Sequence, residues 1–272
     1  MATILALGCH PDDLEFMCAG TLFHLADRGH KIHIATMCVG DLGSVDKTRI
    51  EITRIRLDEC RRAAEILGAE FHCAMLEDVL LEDCNEHRAK AVVIIRKTDP
   101  DIVITMPPQD YMVDHEITSR LVRNACFLAP IPNYAYGEAV TQPSTEHIPT
   151  LYYADAVEGK DILGNPIRPH FYVDITSQIE RKKRMLACHE SQREWLRRQH
   201  GVDEYVNAML RRSADRGAEV GFEYAEAFQQ HLGHAYPQKN LLKEILGDLV
   251  VEVPREASGR AQRARTRHAA AR

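Results

Sequence analysis

Residues 6–16, ALGCHPDDLEF, put a histidine, a proline and two aspartates directly after an apolar run. His10 and Asp13 are three apart with a proline between them, so a tight turn into a helix can aim both side chains at one point. A second histidine, His115, follows Asp114 at the start of a later helical pattern and would complete a set of two imidazoles and one carboxylate. That is the open ligand pattern of catalytic zinc, with three protein donors and water in the fourth position. Zinc there would lower the pKa of its water toward neutrality and polarise a substrate carbonyl. Adjacent side chains diverge, so with Asp13 on the metal, Asp12 faces the water as a general base would. Neighbouring carboxylates in a crevice repel each other; a divalent cation and a helix N-terminus relieve that repulsion. Each piece also has an ordinary reading. Pro-Asp-Asp is a common helix-capping turn, and a lone histidine at a helix start is more often structural than a ligand.

The elements that must position these residues are legible as alternating patterns. Apolar runs at Thr3 to Cys9, Lys31 to Cys38, Ala69 to Met75 and Asp101 to Met106 read as buried strands. Amphipathic stretches at Met17 to Arg28, Glu51 to Leu67, Asn85 to Thr98 and His115 to Leu128 read as helices, with Gly29 and Gly68 as C-terminal stops. This order predicts an α/β fold, Rossmann-like, built on a mostly parallel twisted sheet with helices on both faces. Thr150 to Ala154 and His170 to Ile175 are expected to extend the sheet at an edge. From Thr176 onward the chain reads as almost entirely helical, with a break near Gly217 to Gly221. In Leu241 to Leu249, apolar residues recur at helical spacing, as in a packed surface helix. Ligands of open parallel sheets bind beyond the carboxyl ends of the strands, where the first and fourth of these strands carry their aspartates and histidines.

The totals limit the function class. A chain of 272 residues with 45% hydrophobic content can bury one large core. Residues 1–253 are expected to form one domain, and the stretch from Pro254 reads as a basic, disordered tail. Removing the six arginines and one glutamate of residues 255–272 from the net charge of −6 leaves −11 for the rest, a poor balance for gripping nucleic-acid phosphates. No apolar run reaches the ~18 residues of a membrane span, and the N-terminus lacks a signal-peptide pattern. The eight cysteines contain no CxxC pair and mostly sit among apolar residues, as reduced thiols of a soluble cytoplasmic protein do.

With HPDD after the first strand and Asp114-His115 opening a later helix, the chain resembles the PIG-L/LmbE-like zinc-dependent deacetylases. GHKIHIATMCVGDLGS, RLDECRRAAEILGAE, KRMLACHESQ and GFEYAEAF extend the likeness over most of Met1 to Phe228. The resemblance implies a hydrolase that removes an acyl group from an N-acyl glucosaminide or related amide, with Zn2+ as cofactor and an N-acyl amino sugar or conjugate as small-molecule partner. It makes His10, Asp13 and His115 the metal ligands and Asp12 the base. Arg56 would hydrogen-bond substrate hydroxyls or a phosphate-like group, Asp78 would grip a sugar hydroxyl, and Asp114 would orient a ligand or catalytic group. A homo-oligomer is also implied.

Two departures stand out. The acidic residue usual straight after HPDD is displaced to Glu15 by Leu14. The family's His-x-Asp-His is Met112-Val113-Asp114-His115, so the first histidine, which stabilises the oxyanion and protonates the leaving amine, is a methionine that can do neither. Either another group takes over, such as Tyr111 or a distant histidine like His147 or His170, or zinc carries the oxyanion alone, or activity is weak. Two rivals follow: a relative that binds metal but is catalytically impaired, and a Rossmann-like sugar-nucleotide binder, which would need the glycine-rich turn that GCHPDDLEF lacks.

Overall fold

The computed structural model describes residues 1–200 and 204–254. The basic tail read from the sequence lies outside the described residues from Arg255 onward. Strands β1 (Thr3–Gly8), β2 (Lys31–Cys38), β3 (Glu70–Leu76) and β4 (Ile102–Thr105) fall on the four apolar runs. Between and after them lie α1 (Asp13–Met17), α2 (Ala19–Asp27), α3 (Arg49–Leu67), α4 (Asn85–Thr98) and α5 (Val113–Leu128). A capping box of Thr48 and Glu51 starts α3, and Gly68, at φ 73°, ends it.

The expected first helix at Met17 to Arg28 is corrected in two respects. Helix begins already at Asp13, and Cys18 (φ −143°) breaks it into α1 and α2. The break gives α2 a free N-terminus, where the amides of Gly20 and Thr21 donate to the Glu226 carboxylate at 2.8 and 2.7 Å.

The sheet continues through β5 (Thr150–Ala154), β6 (Phe171–Asp174), β7 (Ala225–Gln230) and β8 (Val250–Glu252), in the order β3-β2-β1-β4-β5-β7-β6-β8. The first five strands in that order pair in parallel, and the β5-β7, β7-β6 and β6-β8 pairings are antiparallel. The sheet is therefore mixed, and the expectation of a mostly parallel one holds for its first half. Neither β5 nor β6 is an edge strand, because β7 lies between them and β8 covers the far side of β6.

The C-terminal part is also less helical than expected. Helices α6 (Ile179–Leu186), α7 (Glu190–His200) and α8 (Glu204–Ala218) are followed by β7, then the short α9 (Leu241–Leu246), then β8. The sequence of β7, AEAFQQ, favours helix by local propensity. Its pairing on both sides and the burial of Ala225, Glu226, Ala227 and Phe228 override that preference. Leu242 and Leu246 of α9 pack into the main core as a surface helix should. No helix among the described residues is long and apolar enough to cross a membrane.

The strand order reverses between β1 and β4, since β2 and β3 lie to one side of β1 and β4 and β5 to the other. The chains leaving β1 and β4 diverge there and open a crevice at the carboxyl ends of the strands. Helices α4 and α5 pack together, while α2 and α3 pack with α6, forming two separate helical groups.

Glu226 ties the two halves of the sheet together. It caps α2 and meets Lys182 Nζ at 2.6 Å, with both side chains nearly inaccessible. Lys183, the first residue of the KRMLACHESQ segment, instead pairs with Glu180 on the surface. Glu226→Gln would leave the Lys182 ammonium buried without its counter-charge and is expected to lower unfolding free energy by about 3–5 kcal/mol. Urea unfolding followed by circular dichroism measures this, and Glu180→Gln, on the surface, should change stability by less than about 1 kcal/mol.

Candidate metal and active site

The β1–α1 turn owes its shape to Asp12. This residue adopts φ 99°, in the left-handed region that aspartate tolerates better than most residues. The next residue, Asp13, turns back on the loop, and its Oδ2 accepts the amide hydrogens of Cys9 (3.2 Å) and His10 (2.6 Å). That oxygen lies 3.5 Å from His10 Nδ1, while Oδ1 lies 3.3 Å from His115 Nε2 in the first turn of α5. One donor atom from each of His10, Asp13 and His115 lies within 4.8 Å of the other two. The residues singled out by spacing, from loops 100 positions apart, thus meet at the sheet's reversal point.

Each imidazole is backed by a carboxylate on its other nitrogen. His10 Nε2 lies 3.1 Å from Asp114 Oδ2, which also accepts the Val79 amide at 2.7 Å. Asp114 thus orients His10 rather than its sequence neighbour. His115 Nδ1 lies 3.3 Å from Asp110 Oδ2. Asp110 was not among the sequence candidates; its only signal is a place in the loop between β4 and α5. Such backing fixes which ring nitrogen is left for a metal.

Electrostatics match the geometry. Burial, the largest influence, opposes charge on both rings and on Asp13. Their mutual attraction overcomes it: Asp13 and Asp110 push His115 up to about 9, Asp114 and Asp13 hold His10 well above its usual value, and the two rings hold the Asp13 carboxyl well below the carboxylate range. Two imidazoles and a carboxylate with an open side fit Zn2+. A second grouping, Cys9, His10, Cys38 and Asp114, shares His10. Burial pushes the Cys9 thiol well up, leaving it a neutral thiol rather than a thiolate donor.

Asp12 points away from Asp13 into a different set of partners. Arg56 Nη2 donates to the Pro11 carbonyl at 2.7 Å and to Asp12 Oδ2 at 3.3 Å. The guanidinium thereby fixes the turn that presents Asp12. Gly40, at φ 76°, makes room for it: a Cβ there would fall 2.6 Å from Arg56 Cδ. Burial pushes the Asp12 carboxyl up, and the charges of Arg56 and His189 offset only part of that rise. His189 is fully buried behind Asp12, 3.2 Å from Glu15, whose charge raises the ring against its own burial. His189 lay within the KRMLACHESQ segment, yet nothing in its spacing to Asp12 marked it as a partner. Glu15, displaced by one position from the family pattern, thus holds the histidine that faces Asp12.

A cavity of about 500 Å³ opens onto this cluster, with His10, Asp12, Asp13, Arg56, Asp78 and His115 on its wall. Asp78 accepts the Gly40 amide at 2.8 Å and so shapes the loop after β2. Helices α7 and α8 close the cavity from above with Trp195, Leu196 and Tyr205. The Tyr205 hydroxyl is buried beside the Asp12 carboxylate and, as an O–H donor toward it, helps hold that carboxyl down. Burial, then the Asp12 charge, pushes the hydroxyl well up, so it stays a neutral O–H. Met112 lines the cavity at the start of α5, beside Tyr111, whose ring meets His115 edge-on at 5.9 Å. Neither distant histidine reaches the cavity wall: His147 pairs with Asp101 at the opposite end of β4, and His170 Nδ1 accepts the Gln230 amide.

Comparison with known proteins agrees with this arrangement. The profile of the PIG-L family, described as GlcNAc-PI de-N-acetylase, matches residues 5–126. Diacetylchitobiose deacetylase of Thermococcus kodakarensis is 30% identical over 198 residues, 70% of this chain and 69% of that protein. The 4-oxalmesaconate hydratase of Pseudomonas putida is 23% identical over 239 residues, 83% of this chain and 87% of that protein. Among solved structures, N,N'-diacetylchitobiose deacetylase from Pyrococcus horikoshii shares the fold, with a TM-score of 0.73 at 22% identity over 88% of each chain. The profile takes in both loops that build the histidine–aspartate cluster, and the Thermococcus likeness carries the match over more than two thirds of the residues: this chain belongs to the PIG-L family.

Proposed function

We propose that the chain is a metal-dependent N-deacetylase acting on an N-acyl amino sugar or a related N-acyl amine, with His10, Asp13 and His115 holding Zn2+ and Asp12 as general base. The observation that carries this reading is a buried carboxylate, Asp12, on the same cavity wall as the two-histidine, one-aspartate cluster but outside it. A bound divalent ion would supply Lewis acidity, polarising the amide carbonyl and making water easier to deprotonate. Asp12 takes the proton of the attacking water, helped by the rise that burial gives its carboxyl. As the C–N bond breaks, the same carboxyl returns that proton to the departing nitrogen, so water is consumed and a carboxylic acid and an amine are released. Arg56 and His189 act through Asp12, fixing its position and limiting its rise. Tyr111 is the donor at the rim where Met112 replaces the usual histidine, and Asp78 is assigned a substrate hydroxyl.

The Pseudomonas relative named as a hydratase raises a second chemistry on the same scaffold. The cavity wall favours the amide. Arg56 is the only lysine or arginine among the described residues lining it, and it is engaged by Pro11 and Asp12. A polycarboxylate would find no unengaged lysine or arginine among the described lining residues, whereas Phe16, Leu42, Val79 and Trp195 offer an apolar surface to a neutral N-acyl compound. The eight free cysteines suit a reducing, cytoplasmic setting.

Three outcomes test the proposal. Chelator treatment should abolish amine release from a panel of N-acyl glucosaminides and zinc should restore it; His115→Ala should lower both activity and metal content. Amine release that survives complete metal removal would exclude the metal-dependent reading, and zinc binding without turnover of any panel member would favour a binding protein. Asp12→Asn, which keeps a residue tolerant of the left-handed conformation, should retain metal while kcat falls by about 10²–10⁴-fold. His189→Gln removes a positive charge that holds Asp12 down, so the Asp12 carboxyl should rise further and the acidic limb of the kcat–pH profile should move to higher pH; an unmoved limb with lowered kcat would reduce His189 to packing.

A further inference from the structure

A second set of metal-type donors lies at the other end of the sheet, among residues with no part in the cavity. His33 near the start of β2 and Glu70 at the start of β3 are paired across the parallel ladder, and His72 follows on the same face of β3. His33 Nδ1 and His72 Nε2 are 3.0 Å apart, and the Glu70 carboxylate oxygens lie 3.7 Å from each. Donors around a tetrahedral zinc with bonds of about 2.0–2.1 Å stand roughly 3.3 Å from one another. The ring-to-ring separation and the two carboxylate contacts, made through different oxygens of Glu70, are close to what one ion would impose, and one donor atom from each of the three residues lies within 4.8 Å of the other two.

We propose that His33, His72 and Glu70 form a second Zn2+ site, a clip joining the edge strand β3 to β2 and independent of the cavity. Three protein donors leave the fourth position to solvent, which the half-exposed Glu70 side chain admits. Burial, with Lys31 and Lys97 adding to it and Glu70 opposing, holds His33 low and His72 down to about 4, so both rings are neutral donors at pH 7. The opposing feature is Lys97, whose ammonium lies 4.0 Å from Glu70; its side chain is more than half exposed and free to swing into solvent as the ion enters. The ordinary alternative is a neutral histidine pair sharing one hydrogen, with Glu70 and Lys97 as a surface ion pair.

The full chain, stripped with chelator and dialysed against excess Zn2+, should carry two zinc equivalents by elemental analysis. His115→Ala should keep the one held by His33 and His72, and His72→Gln should lose it. Glu70→Gln, on an exposed side chain that no core packing depends on, guards against misfolding: it should weaken zinc retention at this site while leaving amide hydrolysis unchanged. Zinc should raise Tm in the His115→Ala variant but not in His115→Ala/His72→Gln. Zinc content in His72→Gln and Glu70→Gln equal to wild type, or no anomalous scattering between the two rings in zinc-soaked crystals, would overturn the proposal. Because His115→Ala reports on the cavity and His72→Gln on the clip, failure of either site is distinguishable from failure of the other.

Discussion

Buried negative charge at the point where the sheet reverses governs this molecule. Asp12, Asp13, Asp78, Asp110 and Asp114 are all nearly inaccessible, and among the described residues lining the cavity that Asp12, Asp13 and Asp78 share, Arg56 is the one arginine. Carboxylates stripped of water repel one another unless something positive lies among them. The fold answers in three ways. Backbone amides of Cys9, His10, Gly40 and Val79 point at the carboxylates. Arg56 is clamped into the first turn. The remaining imbalance is offset by the His10 and His115 imidazoles, whose charged forms the carboxylates of Asp13, Asp110 and Asp114 favour, and which are the proposed donors to a divalent ion. The loop after β2, the left-handed turn at Asp12 and the first turn of α5 are all shaped by this requirement.

How far the site can be read from sequence follows from what kind of information fixes each residue. His10, Asp13 and His115 were legible because the alternation of strands and helices locates the carboxyl ends of β1 and β4, and those ends adjoin in a doubly wound sheet. The backing residues were not. Asp110 sits in an irregular loop, and His189 meets Asp12 only because α6 and α7 fold back over α1; neither contact has a periodicity. Arg56 was legible as a cavity residue, but its grip on Pro11 and Asp12 depends on the close approach that Gly40 permits.

The same division separates the two halves of the sheet. The parallel half is built of continuous apolar runs bounded by glycine and proline, where local preference and tertiary placement agree. In the antiparallel half they conflict at β7, whose alanines, glutamate and glutamines favour helix. There the deciding forces are non-local: ladder bonds to β5 and β6, the ion pair with Lys182, and the free amides at the start of α2. A strand whose second residue, Glu226, is consumed by amides 205 and 206 residues away and a lysine 44 residues away leaves no pattern for a local reading to find.

The cavity also divides along the chain. Every candidate ligand and the proposed base come from residues 10–115, whereas the roof formed by Trp195, Leu196 and Tyr205 comes from α7 and α8. On the proposed reading, reactivity and selection are carried by separate stretches of polypeptide, joined where His189 and Tyr205 face Asp12 and where Ser191 donates to Glu59. Substitutions accumulating in the roof can change which compounds are admitted while the reacting groups stay in place.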